Sequence, residues 1–216
     1  MGQKVNPLSF RMGVLYRPSS RWFAVGKEYR EFVLQDIKLK KFLYDRLKLA
    51  SVVDVIVERS INTLHIVVHA ARPGVVIGRG GANLDILKKE VGQFLASIGA
   101  PANLKQELDV HEVKNPDMSA KLVGERIAEQ LVKRYPARRA VSQAQERVMA
   151  AGAKGIKIQL GGRINGAEIS RREKYSVGTI PTQTLRSDID YAEVPALTRS
   201  GYVGIKVWVY KGEAEL

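Results

Sequence analysis

The run Val76–Ile77–Gly78–Arg79–Gly80–Gly81 is where residue types and spacing come closest to chemistry. Glycines let a main chain approach phosphate oxygens without a Cβ in the way. The unpaired N–H groups of a helix that follows would then favour an anion, and Arg79 sets a mobile positive charge in the middle of the turn. A dinucleotide fold needs G-x-G-x-x-G, but counting from Gly78 the third glycine position falls on Asn83. A P-loop needs two glycines five apart followed by Lys and then Ser or Thr, and no stretch supplies that. A Gly-x-x-Gly clamp remains, formed by Gly78, Arg79, Gly80 and Gly81. Such a clamp closes on the backbone of about four nucleotides, although the same four residues alone would also suit a plain tight turn.

A second constellation is the basic stretch 133–174, with 11 basic and 3 acidic side chains. Lys133, Arg134, Arg138 and Arg139 crowd an expected corner between two helices. Lys154, Lys157 and Arg163 follow on strand edges, and Arg171, Arg172 and Lys174 close the run. A solvated face would normally carry acidic partners at helical spacing, yet Glu146 and Glu168 stand almost alone. Arginine suits phosphate because its planar fork donates two parallel hydrogen bonds.

Enzymatic arrangements are weaker. His65 and His69 would share a strand face about 13 Å apart at roughly 3.3 Å per residue, too far to hold one metal ion, and His111 is the only other histidine. Asp188 and Asp190 could evoke a carboxylate pair for phosphoryl chemistry, but strand alternation and neighbouring Arg186 point to a structural salt bridge. There is no G-x-S-x-G, and no Cys to act as a nucleophile or thiolate ligand. No catalytic residue, metal set or cofactor motif is expected.

The elements that must position these residues can be read from periodicity. Residues 1–20 read as an arm punctuated by Gly2, Pro7, Gly13 and Pro18, with Lys4, Arg11 and Arg17 interleaved; Arg21 follows. Few of its apolar positions keep a period, so the arm is expected to order only on assembly. Leu39, Phe42, Leu43 and Leu47 have helical spacing within 36–49. Alternation over 53–59 and 63–69, joined by three residues, predicts a hairpin. After the Gly-rich turn, Leu84, Leu87, Val91, Phe94, Leu95 and Ile98 form one helical stripe, stopped by Gly99 and Pro101. Leu104, Leu108 and Val110 suggest a third strand. Asn115–Pro116–Asp117 looks like a helix start, with the stripe Leu122, Val123, Ile127, Leu131, Val132 running to Pro136. A further helix over 138–151 and alternating runs at 156–160 and 205–209 imply a second sheet. The class is α/β (α+β), with a boundary near 111–117. With this element order around it, the Gly78–Gly81 loop reads as that of a KH module.

Lys and Arg total 35 against 22 Asp and Glu, a net charge of +13 that is unevenly spread. Residues 1–30 carry +5 and residues 133–174 carry +8, while the remaining 144 residues sum to zero. Concentrating the whole excess in two segments implies a polyanionic partner, nucleic acid ahead of an anionic membrane, since neither segment shows the apolar face of an interfacial helix. No apolar run approaches the roughly 18 residues of a membrane span, and no charged start leads into a secretory segment. With no Cys, a reducing, intracellular setting is expected.

The opening Met-Gly-Gln-Lys-Val-Asn-Pro with Phe10–Arg11 resembles that of the bacterial-type small-subunit ribosomal protein S-three family. So do Ala71–Arg72–Pro73–Gly74, Arg138–Arg139–Ala140, Gly152–Ala153–Lys154–Gly155–Ile156–Lys157, Gly162–Arg163 with Gly166–Ala167–Glu168–Ile169, Asp188–Ile189–Asp190–Tyr191 and Gly204–Ile205–Lys206–Val207–Trp208. The matches span nearly the whole chain. The resemblance implies a basic arm and lead-in helix over 1–35, and a type II KH domain over 36–111 with helices on a three-stranded sheet. A C-terminal domain over 112–216 would place two helices on an antiparallel sheet. It further implies a non-enzymatic constituent of the small ribosomal subunit, cytoplasmic in bacteria or within an organellar ribosome. The partners implied are rRNA of the subunit head, mRNA at the entrance channel, S-ten and S-fourteen proteins as neighbours, and S-four and S-five at the entrance. Arg138 and Arg139 match a pair associated with mRNA unwinding; a third basic position in many relatives is here Ser142. A charged tail beyond the last strand is not expected, since the sequence ends at Leu216. The residues expected to bind rRNA or mRNA are Lys4, Arg11, Arg17, Arg21, Lys133, Arg134, Arg138, Arg139, Lys154, Lys157, Arg163, Arg171, Arg172 and Lys174, besides the KH loop. An autonomous KH-domain RNA regulator or chaperone is the alternative; neither reading involves a membrane or a small-molecule substrate.

Overall fold

The computed structural model describes residues 3–99 and 104–214. Gly2, Pro101 and Leu216, used above, lie outside the described residues. In chain order the elements are α1 (Pro7–Phe10), β1 (Ser20–Arg21), α2 (Lys27–Arg46), β2 (Val52–Arg59), β3 (Thr63–Ala70), α3 (Pro73–Ile77) and α4 (Ala82–Ser97). There follow β4 (Lys105–Glu112), α5 (Ala120–Val132), α6 (Ala137–Ala150), β5 (Gly155–Gly162), β6 (Arg171–Gly178), β7 (Ser187–Thr198) and β8 (Gly201–Glu213). Two units result: Pro18–Lys114, and the chain from Asn115 onward together with the arm up to Arg17.

In the first unit the expected hairpin forms in antiparallel register, with Val55 opposite Val68 and Val57 opposite Ile66. β4 then adds in parallel beside β3, placing Leu108 opposite Ile66. Alternation sends Val55, Val57, Leu64, Ile66, Val68 and Leu108 to one face, where Leu39 and Leu43 of α2 and Leu87, Val91 and Leu95 of α4 cover them. The two helices meet through Phe42 and Phe94, stacked 4.5 Å apart. β1 joins β2 in parallel as a fourth, two-residue strand beyond the three expected. α2 also starts nine residues before Asp36, because its first half packs on a different partner: Trp22 lies 5.5 Å from both Tyr29 and Phe32. A buried ion pair closes this end. Asp36 receives Arg59 at 2.6 Å, with both side chains 5% exposed, and also accepts Trp22 Nε1 at 2.7 Å.

The second unit is a four-stranded antiparallel sheet in the order β6-β5-β8-β7, with α5 and α6 on one face. Ile156, Ile158 and Leu160 of β5 and Ile205, Val207 and Val209 of β8 face Val123, Ile127, Val141 and Val148. α5 crosses the sheet so closely at Gly124 that a Cβ there would lie 2.8 Å from Val194. Val132, the last member of the expected stripe, is exposed. β6 was not legible, because its charges mask its alternation at one edge of the sheet, whereas β7 showed only as the alternation at Asp188 and Asp190.

The arm is not left to order on assembly. Arg11 is fully buried, and its guanidinium donates to the carbonyls of Pro7 and Ser187 at 3.0 and 2.6 Å and of Pro181, Thr182 and Thr184 at 3.4, 3.0 and 2.8 Å. Asn6 caps α1 through Oδ1, and Tyr16 donates to Asp188. The segment has no helical or strand period because a polar anchor, rather than an apolar stripe, attaches it. It belongs with the second unit, while residues 18–35 belong with the KH-like one, which departs from the boundaries expected above. No helix among the described residues is long and apolar enough to cross a membrane.

Replacing Asp36 by Ala leaves Arg59 buried without its counter-ion. The expected loss is about 3–5 kcal/mol, seen as an earlier urea unfolding transition; an unchanged midpoint would show that water or Gln35 suffices.

Candidate nucleic-acid interface

The loop between α3 and α4 has the geometry its glycines allow. Gly78, Gly80 and Gly81 have φ of 72°, 62° and 83°, in the left-handed region. A Cβ on Gly78 would also meet the Asn83 side chain at 2.6 Å, and Asn83 Nδ2 donates back to Val75 O at 3.2 Å. Asn83, the residue that broke the dinucleotide fingerprint, therefore braces the loop. Val76 is buried and roots it in the core, whereas Arg79 and Gly80 are exposed. The first turn of α4 has no side-chain cap, which leaves its N–H groups facing outward from a glycine turn. α3 itself was read as turn, since five residues are too few to show a period.

The basic stretch does not form one patch. Its first part gathers where α5 ends and α6 begins. Lys133 and Arg134 follow α5, Arg134 with φ of 63°, while Arg138 and Arg139 lie in the first turn of α6; all four are exposed. None of the four has an ion pair among the described residues. Arg139, Gln143 and Arg147 share one face of α6 and meet Arg126 and Lys133 around an open hollow. Arg126 and Arg147 were not among the expected contacts, though the spacings 139–143–147 and 126–130–133 carry the signal. Arg126 is partly committed to Asp117 at 2.6 Å.

The strand residues divide by alternation. Arg171 pairs with Glu173 at 2.9 Å, and Tyr175, whose proton is held more tightly by burial and by Glu173, follows on that same side, which faces the helices. Register puts Arg172 opposite Gly161 and Lys174 opposite Gln159, on the outer face of the sheet. Lys157 is on that outer face too, opposite Trp208, with its ammonium 5.3 Å from the indole centroid. Lys154 and Arg17 are exposed. Arg163 bridges two loops through Ala167 O at 2.8 Å and Ser200 O at 3.3 Å. Arg21 pairs with Glu58 at 2.8 Å. Arg11 is a correction: enclosed by carbonyls, it cannot reach a phosphate.

The remaining titratable groups are tied into the fold. His65 contacts Asp109 at 2.9 Å, which raises its proton affinity, while burial and His111, stacked at 5.6 Å, lower that of His69. Asp188 and Asp190 are structural, but not through Arg186, which pairs with Glu213 at 3.3 Å. Asp188 accepts from Tyr16, and Asp190 accepts the Ala120 N–H at 3.0 Å, supplying negative charge to the start of α5. No His, Cys, Asp or Glu cluster among the described residues has metal-holding geometry.

Two family models match this chain: one described as "KH domain" over residues 38–118, and one described as "Ribosomal protein S3, C-terminal domain" over residues 127–209. The chain is 47% identical over 213 residues to the "Small ribosomal subunit protein uS3" of Lactobacillus delbrueckii subsp. bulgaricus, covering 99% of this chain and 92% of that one. Proteins of the same name from Bacillus anthracis and Enterococcus faecalis are 47% and 46% identical, each over 99% of this chain and 94% of the relative.

Exchanging Arg79 for Asp reverses the loop's charge without touching the left-handed glycines or the buried Val76. Circular dichroism should stay unchanged while affinity for a short single-stranded RNA falls about tenfold, the scale of one or two lost charge-assisted contacts. Equal affinity would show the loop to be idle.

Proposed function

This chain belongs to the ribosomal protein S3 family, and from that premise we propose that it holds rRNA in the head of the small subunit and touches mRNA as it enters. At the coarser level it is a non-enzymatic, structural, RNA-binding protein of the small ribosomal subunit. The finer reading is supported above all by the corner of α5 and α6. Lys133, Arg134, Arg138 and Arg139 stand exposed there with no ion pair among the described residues. A cation cluster without ion pairs, beside a hollow where Glu129 is the one acidic lining residue, is suited to a strand of phosphates. Arg138 and Arg139 are the proposed contacts to incoming mRNA, aided by Arg147 on the same helix face. The KH loop and the remaining basic residues, apart from Arg11, are the proposed rRNA contacts.

The neighbours proposed are the S-ten and S-fourteen proteins, with S-four and S-five around the mRNA entrance, in a ribosome of the bacterial cytoplasm. The resemblance supports these partners. Ser142 is exposed on α6 one turn beyond the Arg pair, so that face has one cation fewer than in many relatives.

Binding of this kind is driven by counter-ion release. If about eight phosphates are neutralised, log K against log salt should slope by about −6 to −7, and a slope near zero would remove the mechanism. In ribosomes reconstituted with Arg138→Ala/Arg139→Ala, translation through structured mRNA should slow more than through unstructured mRNA. Equal slowing on both templates would assign the pair to rRNA instead.

A further inference from the structure

Three non-glycine residues among the described ones have a left-handed backbone, Ser51, Arg134 and Asn165, and two of them shape the corner of α5 and α6. Arg134, with φ of 63°, closes α5. Tyr135 N donates to Gln130 O and Arg134 N to Leu131 O, both at 3.0 Å. This paired ending of a helix usually places glycine where Arg134 stands. Asn165, with φ of 55°, lies in the loop between β5 and β6. Its Oδ1 accepts the Ala137 N–H at 3.1 Å, from 28 positions away in the chain. Ala137 is fully buried and opens α6. The helix has no cap of its own, since Pro136 stands where a Ser, Asn or Asp would reach back to the first turn. That turn has no acidic residue and carries Arg138 and Arg139, whose charges oppose the helix dipole. The loop that supplies the cap is itself fixed. Ile164 is rooted in the core at 1% exposure, and Arg163 donates to Ala167 O and Ser200 O.

We infer that Asn165 is a positioning residue for the RNA-binding corner, holding the first turn of α6 so that Arg138 and Arg139 keep one aim, and that Arg134 is kept in a strained conformation for its guanidinium. The inference rests on the reading of this corner as an RNA contact and deepens it by naming what presets its geometry. Backbone demand alone would put glycine at both left-handed positions, because a Cβ there is strained. Asparagine bears that strain better than most residues and adds the acceptor that glycine lacks. Arginine at position 134 gains nothing for the helix end; what it adds is a second charge beside Lys133. Residues held against strain in this way cluster where a site's geometry is set before its ligand arrives. A fixed first turn also leaves less freedom to be lost when a phosphate strand binds. Asn165 touches no phosphate and acts through the two arginines.

The test uses the full chain and an RNA hairpin with a single-stranded tail. Asn165→Gly suits the left-handed backbone and removes only the cap, so the chain should fold as before. Exchange of the Ala137 N–H with solvent deuterium should quicken, and RNA affinity should fall about fivefold, the scale of one lost cap. In an Arg138→Ala/Arg139→Ala background the same substitution should cost nothing further, which a general loss of structure would not produce. Asn165→Asp keeps an acceptor in place and should keep the Ala137 N–H slow to exchange. Arg134→Gly should raise the urea midpoint while weakening RNA about threefold, so that stability and binding move in opposite directions. Unchanged affinity in Asn165→Gly, an equal loss with and without the two arginines, or fast Ala137 exchange in Asn165→Asp overturns the positioning role. A stabilised Arg134→Gly with full affinity overturns the assignment of Arg134. If only this inference fails, removing Arg138 and Arg139 still weakens binding while Asn165→Gly does not; if the reading of the corner itself fails, removing the two arginines costs nothing either.

Discussion

The arrangement of the C-terminal unit depends on burying one arginine. Arg11 has no carboxylate partner among the described residues, and its charge is balanced by carbonyl dipoles of α1, of the segment leading into β7 and of Ser187 at its start. A guanidinium can never neutralise itself by losing its proton, so the pocket must stay closed around it or lose several charge-assisted bonds at once. That demand keeps residues 3–17 against a sheet more than 160 positions away in sequence. It also explains how an arm without an apolar stripe is ordered at all, since the polar anchor replaces a hydrophobic one.

The second constraint is strand alternation. A run of cations in sequence does not make a run of cations in space once it passes into β-structure. Arg171 and Arg172 are neighbours in the chain and face opposite sides of the sheet, one tied to Glu173 and the other open on the outer side. Periodicity on α6 has the reverse effect, collecting Arg139 and Arg147 from two turns apart onto one face. The +8 of residues 133–174 is therefore divided between two surfaces on opposite layers of one unit.

How much of this was legible follows from which interactions are local. The KH loop could be read because left-handed turns and close approach both demand glycine, so Gly78 and Gly80 announce their geometry in their identity. The helices α4, α5 and α6 could be read because their buried faces repeat with the helical period. Arg11 could not: a buried structural arginine and an exposed phosphate-binding one are the same letter, and only the distant carbonyls of Pro181 to Ser187 tell them apart. Asp188 and Asp190 were rightly expected to be structural, yet their partners, Tyr16 and the start of α5, lie 172 and 70 positions away. β6 was hidden because an edge strand needs only one covered face and can spend its alternation on charge.

Folding and binding are separated in this molecule. Both cores are aliphatic, built from Leu39, Leu43, Val55 and Ile66 in one unit and Ile127, Val141, Ile158 and Val207 in the other, and neither contains a member of the exposed cation clusters. The clusters repel themselves in the free chain, but at 10 Å or more of screening-dependent range that repulsion is softened by salt and does not touch the apolar contacts. The unit can thus keep its shape while Lys133, Arg134, Arg138 and Arg139 stay without ion pairs among the described residues. The exceptions are Arg59, buried against Asp36 in the first unit, and Arg11, which the sequence offers as a phosphate contact and the fold uses as an anchor for the arm.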